Sequence, residues 1–336
     1  MTYAASRSGN DFAYATGRVG VLQQRLMSAS DVDRLLGTHD DRELKQAIGE
    51  MKFTSVVAGD MESTDELIAR MELWLHHELE EMLPDNFRET LGILWLKEDA
   101  PLIASLLKQH FGFTKNPLTT GVQSPSSHDP ELLRQLIIEH KQHHTLPEHL
   151  TLFVQRQKMK EHVTPALIDA SVARYVARTQ TELAAASGSA LLQQYVKHQI
   201  DLQNIRIARR LRDSDDPSKI FLPGGEVKPE LLLGDRRKTT AALRGTSLHF
   251  AFTEAFETAG DSSIAVERSL MKALAHDVAL MRGNILGLES AFAYAIIALS
   301  QLRILRTILI GKRASLSNAE IRDMLPPFLS TSPYES

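Results

Sequence analysis

The sequence predicts an all-α protein built from three similar helical bundles. Apolar residues recur at helical spacing along nearly the whole chain, and the alternation of β-branched residues expected of strands is almost absent. A unit also recurs roughly every hundred residues, whereas solenoid modules repeat at about 20–50 residues, so the repeated object is a subdomain. Finally, the same punctuation returns in the same order each time. A helical run is followed by a break, then a long helix with a polar cluster about fourteen residues in, then a Gly- or Pro-containing turn and a new helix start.

Taken in order, the chain opens with a helix expected from about Asp11 to Leu26, and Ser30-Asp31 signals the next start. Ser63 and Glu66 have capping-box spacing ahead of the helical run Leu67–Leu79. Pro84 breaks that run. The long helix after it passes Lys97, Asp99 and Leu102 and reaches Lys108. Thr114–Asp129 is polar and holds Pro117, Gly121 and Pro125, which makes it the expected link to the second unit. A helix start follows at Asp129-Pro130-Glu131-Leu132, where proline at the first helical position loses nothing because its N–H would be unpaired anyway.

The second unit repeats this layout with the run Ile168–Leu183, a break at Gly188 and a helix through Lys197, Asp201, Asn204 and Arg206. The apolar stripe of that helix is Leu192, Val196, Ile200, Ile207 and Leu211, interrupted where Gln203 and Asn204 fall. Lys197, Asp201 and Asn204 follow one another at one-turn intervals and share a face. An amide on a core-facing stripe must be hydrogen-bonded or costs about 1–3 kcal/mol. Two readings of this face follow: a satisfied polar network between helices, or a polar lining turned toward a partner.

Asp213–Glu226 marks the second boundary with its acidic run, Pro217 and the Pro223-Gly224-Gly225 turn, and Lys228-Pro229-Glu230-Leu231 is the next expected start. The third unit has the run Val266–Leu280, the break at Gly287 and a helix through Gln301, Arg303, Arg306 and Lys312. Ser317-Asn318-Ala319-Glu320 is a capping box, and the tail after Pro326-Pro327 is expected to be disordered. The expected domains are therefore residues 1–115, 116–217 and 218–336.

Composition bounds the function. The 336 residues exceed the usual size of a single core, and 43% hydrophobic and 24% charged residues are ordinary for a soluble globular protein. A net charge of −4 gives no basic footprint for nucleic acid. The absence of cysteine excludes disulfides, thiolate zinc sites and cysteine nucleophiles. Met1–Tyr14 has no apolar core of the signal-peptide kind. The most apolar stretch, Ala291–Leu299, is nine residues flanked by Glu289, Arg303 and Arg306, where a membrane span takes about twenty apolar residues. It reads as a buried core helix.

Catalytic and metal motifs are weak. Gly311-Lys312 lacks the earlier glycine of a phosphate-binding loop, and Arg313 stands where a hydroxyl would reach magnesium. His76-His77-Glu78 lacks the second histidine a zincin helix needs, because position 80 is Glu. His140, His143, His144 and His149 form the densest histidine group, and His140 and His144 have i, i+4 spacing with no evident carboxylate partner. No Ser/His/Asp set emerges from spacing. No catalytic residue, cofactor or metal ligand is expected.

The polar clusters also carry a resemblance. Asp201-Leu-Gln-Asn204-Ile-Arg206 resembles the D-x-x-N-[LI]-[RK] signature of the C/d family of V/A-type rotary ATPases, which comprises the prokaryotic C subunits and their d counterparts in vacuolar ATPases. Tyr14-Ala-Thr-Gly-Arg18-Val is similar to the family's opening helix, with Gly17 where alanine is common. Phe221-Leu-Pro-Gly-Gly225 resembles its L-P-G-G turn. Leu302-Arg303-Ile304-Leu305-Arg306, then Gly311-Lys312 and Leu316-Ser317, resembles its closing pattern. The first unit departs with Leu102 at the asparagine position, and the third with Gln301 and Ile304.

The resemblance implies three lobes around a pseudo-threefold axis in a funnel. It implies a non-catalytic adaptor of the central rotor, present once per complex on the cytoplasmic face of the membrane. One end would sit on the ring of c-type proteolipids and the other would receive the D and F proteins of the central shaft, so that torque couples ATP hydrolysis or synthesis to ion transport. It assigns Lys97, Asp99, Lys197, Asp201, Asn204, Arg206, Arg303 and Arg306 to the shaft socket. The competing readings are a soluble helical-repeat scaffold for another protein and a ligand- or metal-dependent enzyme built on the histidine group.

Overall fold

The computed structural model describes residues 12–57, 63–115, 125–211, 216–233, 236–246, 248–250, 253 and 263–326. The start of the first expected helix at Asp11, the Pro117–Gly121 part of the first link, residues 213–215 of the second boundary and the tail from Pro327 onward lie outside them.

Among the described residues the chain is helical, with no strand. The helices are α1 Ala13–Gln23, α2 Ala29–Leu36, α3 Asp41–Gly49, α4 Thr64–Met82, α5 Gly92–His110, α6 Pro130–Ile137 and α7 Glu148–Lys158. They continue as α8 Pro165–Ala186, α9 Ala190–Ala208, α10 Pro217–Ile220, α11 Arg236–Leu243, α12 Ser263–Gly283, α13 Leu288–Arg313 and α14 Asn318–Met324. Each expected run-break-helix stretch is present as two consecutive helices, α4 then α5, α8 then α9, and α12 then α13; α8 packs on α9 and α12 on α13.

The starts follow their capping chemistry. Ser317 and Glu320 form a full capping box at α14, and Asp129 accepts from the Glu131 N–H with Pro130 at the first helical position of α6. Ser63 accepts from the Glu66 N–H at α4. Two expected starts shift. The box for α2 is Ser28 with Asp31, two residues ahead of the Ser30-Asp31 signal. Pro229–Leu233 forms a 3-10 turn, because Lys228 has no short side-chain oxygen to cap the amides of a longer helix.

The chain divides into two compact units, Met1–Arg88 with Gly245–Ser336, and Glu89–Arg244. This division falls inside the first and the third expected domains and assigns α4 and α5 to different units.

In the first unit α13 is the core helix, and α1, α3, α4, α12 and α14 pack against it. Ala291, Phe292, Ala293, Tyr294, Ala295, Ile297 and Ala298 are all buried. A helix that is apolar all round needs such a jacket. Leu288–Arg313 is long and apolar enough to cross a membrane by length and composition, yet 72% of its most apolar window is buried inside the fold. It is a core helix, as the sequence predicts.

In the second unit α5 packs along α8 and α8 along α9, with α6 and α7 covering α5. Leu96, Ile103 and Leu107 meet Leu133, Leu136 and Ile137, then Leu150, Val154, Ile168 and Val172, in one apolar cluster. Gly92 permits the close approach of α5 to α8, since a Cβ there would lie 2.8 Å from Leu183 Cδ1.

Candidate functional site

The polar clusters are buried clamps. Asp99 (1% exposed), Asp201, Asn204 and Gln301 (each 0%) sit on long helices, and each holds the backbone or a side chain of a segment remote in sequence. In the second repeat, Asn204 Nδ2 donates to the Leu222 carbonyl at 2.9 Å, and Asn204 Oδ1 accepts from the Leu222 N–H at 2.8 Å. One turn earlier, Asp201 accepts from the N–H groups of Glu226 at 2.9 Å and Val227 at 3.2 Å. Together they fix both ends of the Leu222–Val227 turn on α9.

The glycines of that turn are required by the clamp. A Cβ at Gly225 would lie 2.0 Å from Asp201 Oδ1. Gly224 has φ +103°, and a Cβ there would lie 2.4 Å from Thr181 Oγ1. From the other side Arg174 donates to the carbonyls of Ser218 at 2.6 Å and Phe221 at 2.7 Å. Burial pushes the Asp201 carboxyl up to about 6, and the two backbone N–H groups and nearby His198 oppose the rise. His198 is itself buried, with Nε2 3.4 Å from the Glu226 carboxylate.

The long helices α5 and α13 use different residues for the same task. Asp99 accepts from the Ser127 N–H at 3.0 Å and from His128 Nδ1 at 2.6 Å, so the first clamp closes on the segment just before α6. Leu102 at the asparagine position leaves Asp99 as the clamp of that helix. In the third repeat, Gln301 Oε1 accepts from the Met27 N–H at 2.8 Å, and its Nε2 donates to the Met27 carbonyl at 3.1 Å. Gln301 thus makes for Met27 the two-point bond that Asn204 makes for Leu222, holding the entry to α2.

Asp99, Asp201 and Asn204 are buried within the chain, with their polar atoms hydrogen-bonded to its own segments. A polar side chain in a core stripe stays only where its partners are also buried. Lys197 and Arg303 are exposed, and Lys97 and Arg206 are half-buried. Arg306 is exposed and pairs with Glu72 of α4 at 3.1 Å. Lys97, Lys197 and Arg206 lie in the second unit, Arg303 and Arg306 in the first.

The remaining motifs also acquire structural roles. Arg18 forms a two-point ion pair with the buried Glu78, the Nη2–Oε2 bond being 2.8 Å. Lys312 donates to the carbonyls of Leu36 at 2.6 Å and Thr38 at 2.7 Å and to Asn318 Oδ1 at 2.9 Å, so it closes the C-terminus of α2. Gly311 lets α13 touch α14, because a Cβ there would lie 2.6 Å from Ile321 Cγ1. The Gly-Lys pair is therefore a packing and capping device. Sequence reasoning missed Arg174, His198 and the Met27 backbone. Arg174 carries no motif, and the other two are recognisable only once the remote segment is in place.

His76, His77, His140 and His149 have separate partners. His76 and His77 face Glu80 and Glu81 at 3.6 and 3.2 Å along α4. His140 Nδ1 lies 3.1 Å from Lys158 Nζ, and His149 Nδ1 lies 3.0 Å from the Tyr175 hydroxyl. Among the described residues no three of His, Asp or Glu converge as metal ligands.

Comparison with curated proteins returns no match. The family model described as ATP synthase (C/AC39) subunit matches residues 15–324. That stretch contains the Arg18–Glu78 pair, all the buried clamps, the Leu222–Val227 turn, the Gly311-Lys312 device and the capping box of α14. With nearly its whole length accounted for in this way, the chain belongs to the ATP synthase (C/AC39) subunit family.

Proposed function

We propose that this protein is the central-rotor adaptor of a V/A-type rotary ATPase, joining the D and F proteins of the shaft to the membrane ring of c-type proteolipids. The family is a non-catalytic, peripheral part of that membrane-associated complex, and the match over residues 15–324 is the observation that carries the reading. The chain would pass torque between ATP hydrolysis or synthesis and ion transport, one copy per complex, at the cytoplasmic face.

The buried clamps suit this role. A torque-bearing part must resist shear, and each clamp ties a long helix to a remote segment through two polar contacts. Lys197, Arg303 and Arg306, with the half-buried Lys97 and Arg206, are the proposed shaft contacts. Charged rims of this kind set orientation and association rate more than raw affinity. The arrangement of the helix pairs as three lobes in a funnel belongs to the same proposal.

A pull-down from detergent-solubilised membranes with the tagged chain tests it. Recovery of D, F and the proteolipid is the expected result. Recovery of an unrelated soluble protein in their place would favour the helical-scaffold reading and overturn the proposal.

A further inference from the structure

Two imidazoles and an ammonium meet where α5, α6 and α7 end. Lys158, the last residue of α7, places Nζ 3.0 Å from the Leu136 carbonyl at the end of α6 and 3.1 Å from His140 Nδ1. The His140 ring lies edge-on to that of His110, the last residue of α5, with centroids 5.5 Å apart. Among the described residues none of the three pairs with a carboxylate. Glu139, next in the chain to His140, is taken by Arg134 and Lys141. On α5, Lys108 pairs with Asp169 of α8, and beyond the end of α7 Lys160 bonds Gln157 and Ser171.

Ordinary helix-end chemistry explains only part of this cluster. A cation beside the last carbonyls of a helix is favoured, which accounts for Lys158 on Leu136. It does not account for two imidazoles beside that cation. His140 also has φ +59°, a left-handed backbone at which glycine or asparagine is the usual residue. An ammonium offers donors only, so His140 Nδ1 accepts from Lys158 and carries no proton. His140 is exposed, so bulk solvent reaches the ring. A proton added at Nδ1 would abolish the bond and set an imidazolium against the ammonium. Burial first, then Lys158 and His140, hold the His110 imidazole below its usual range. Its folded pKa is thus below the unfolded one, so its stabilising contribution is present above about pH 6.5 and is lost as pH falls.

We propose that His140 and His110 form with Lys158 an acid-released latch that holds the α6–α7 cover on α5. Above the histidine range, neutral His140 accepts from the Lys158 ammonium and the latch is closed. Below it, two imidazoliums and the ammonium repel one another, and Lys158 leaves the Leu136 carbonyl as well as His140. The apolar contacts of Leu133, Leu136, Leu150 and Val154 with α5 do not titrate, so the release is a local opening rather than unfolding of the unit.

The test is hydrogen exchange of the purified full chain, read by mass spectrometry between about pH 5.5 and about pH 7.5 with times scaled to the intrinsic rate at each pH. Protection of α6 and α7 is expected to fall about tenfold or more from the higher pH to the lower, the scale of a lost charge-assisted hydrogen bond. An equal fall in α13, which lies in the other compact unit, would mark global destabilisation and overturn the latch. Combining His140→Asn with His110→Gln keeps an acceptor at the left-handed position and removes both titrating rings. That double variant is expected to hold the protection of α6 and α7 constant. A fall as large as the parent's would assign the response to another group, such as His149 with its Tyr175 bond, and overturn the latch. Constant protection in the parent overturns it as well. Without any substitution, nitrogen NMR of the histidine rings at about pH 7.5 should find His140 protonated on Nε2 alone. A proton on Nδ1 would overturn the acceptor assignment and the latch with it.

Discussion

Replacing Asn204 by leucine tests the claim that the central signature is a clamp. The side chains share one branched shape, so the substitution removes polarity, and the bulkier methyls of leucine add crowding against the Leu222 peptide. It removes the donor to the Leu222 carbonyl and the acceptor for the Leu222 N–H, bonds of 2.9 and 2.8 Å. Asn204 is fully buried and Leu222 is 8% exposed, so water cannot replace either bond without opening the turn. An orphaned buried polar group costs about 1–3 kcal/mol, and two orphans give about 2–6 kcal/mol. Burial of extra apolar surface by leucine returns about 1 kcal/mol of this at most, since the site is lined by a peptide group. The expected loss is a large share of the roughly 5–15 kcal/mol that separates folded from unfolded in a typical domain. In melting temperature it corresponds to a fall of about 2–20 °C for a unit of this size. Thermal and urea unfolding followed by circular dichroism provide the measurement. Gln203→Leu is the internal control, because Gln203 is exposed on the same turn of α9 and should shift stability by no more than about 0.5 kcal/mol. An Asn204→Leu protein as stable as the Gln203→Leu protein would refute the clamp.

Three further outcomes are expected. Burial raises the Asp201 carboxyl to about 6 from its usual 3.8, so the folded state binds this proton more tightly than the unfolded chain; its stabilising contribution is complete below pH 3.8 and is lost as pH rises through 6. Urea midpoints measured between about pH 4 and 7 for the parent and Asp201→Asn should therefore differ in slope, and parallel curves would remove Asp201 from the pH dependence. Gly17→Ala should stabilise α1 by about 0.5–1 kcal/mol, since a Cβ there meets nothing within 4 Å, whereas Gly225→Ala should destabilise because its Cβ would sit 2.0 Å from Asp201 Oδ1; equal and opposite unfolding shifts are not required, but reversed signs would contradict the geometry. In cell extracts the protein should fractionate with membranes and leave them in chaotrope or at high pH without detergent, because its longest apolar helix is occupied by its own core; retention after such a wash with no partner remaining would count against peripheral attachment.

Helical periodicity, the breaks at Pro84, Gly188 and Gly287, and the capping chemistry of Asp129 and Ser317 act within a few residues of chain, so the sequence by itself determined the all-α class, the succession of long helices and most helix starts. It also determined that Ala291–Leu299 is a core segment, since an all-round apolar helix must be jacketed. What the polar clusters do was decided only by tertiary structure. Asn204 and Arg206 lie two residues apart on one helix, yet one is sealed against Leu222 and the other reaches partway to the surface. Spacing gives the face of a helix but not what covers it. The cover for Asn204 comes from residues 18 positions away, and the cover for Gln301 from Met27, 274 positions away. The grouping of α4 with α12 and α13, and of α5 with α8 and α9, was likewise invisible. A break such as Pro84 marks where a helix ends, but the partner each half then finds depends on which apolar faces meet when the whole chain folds.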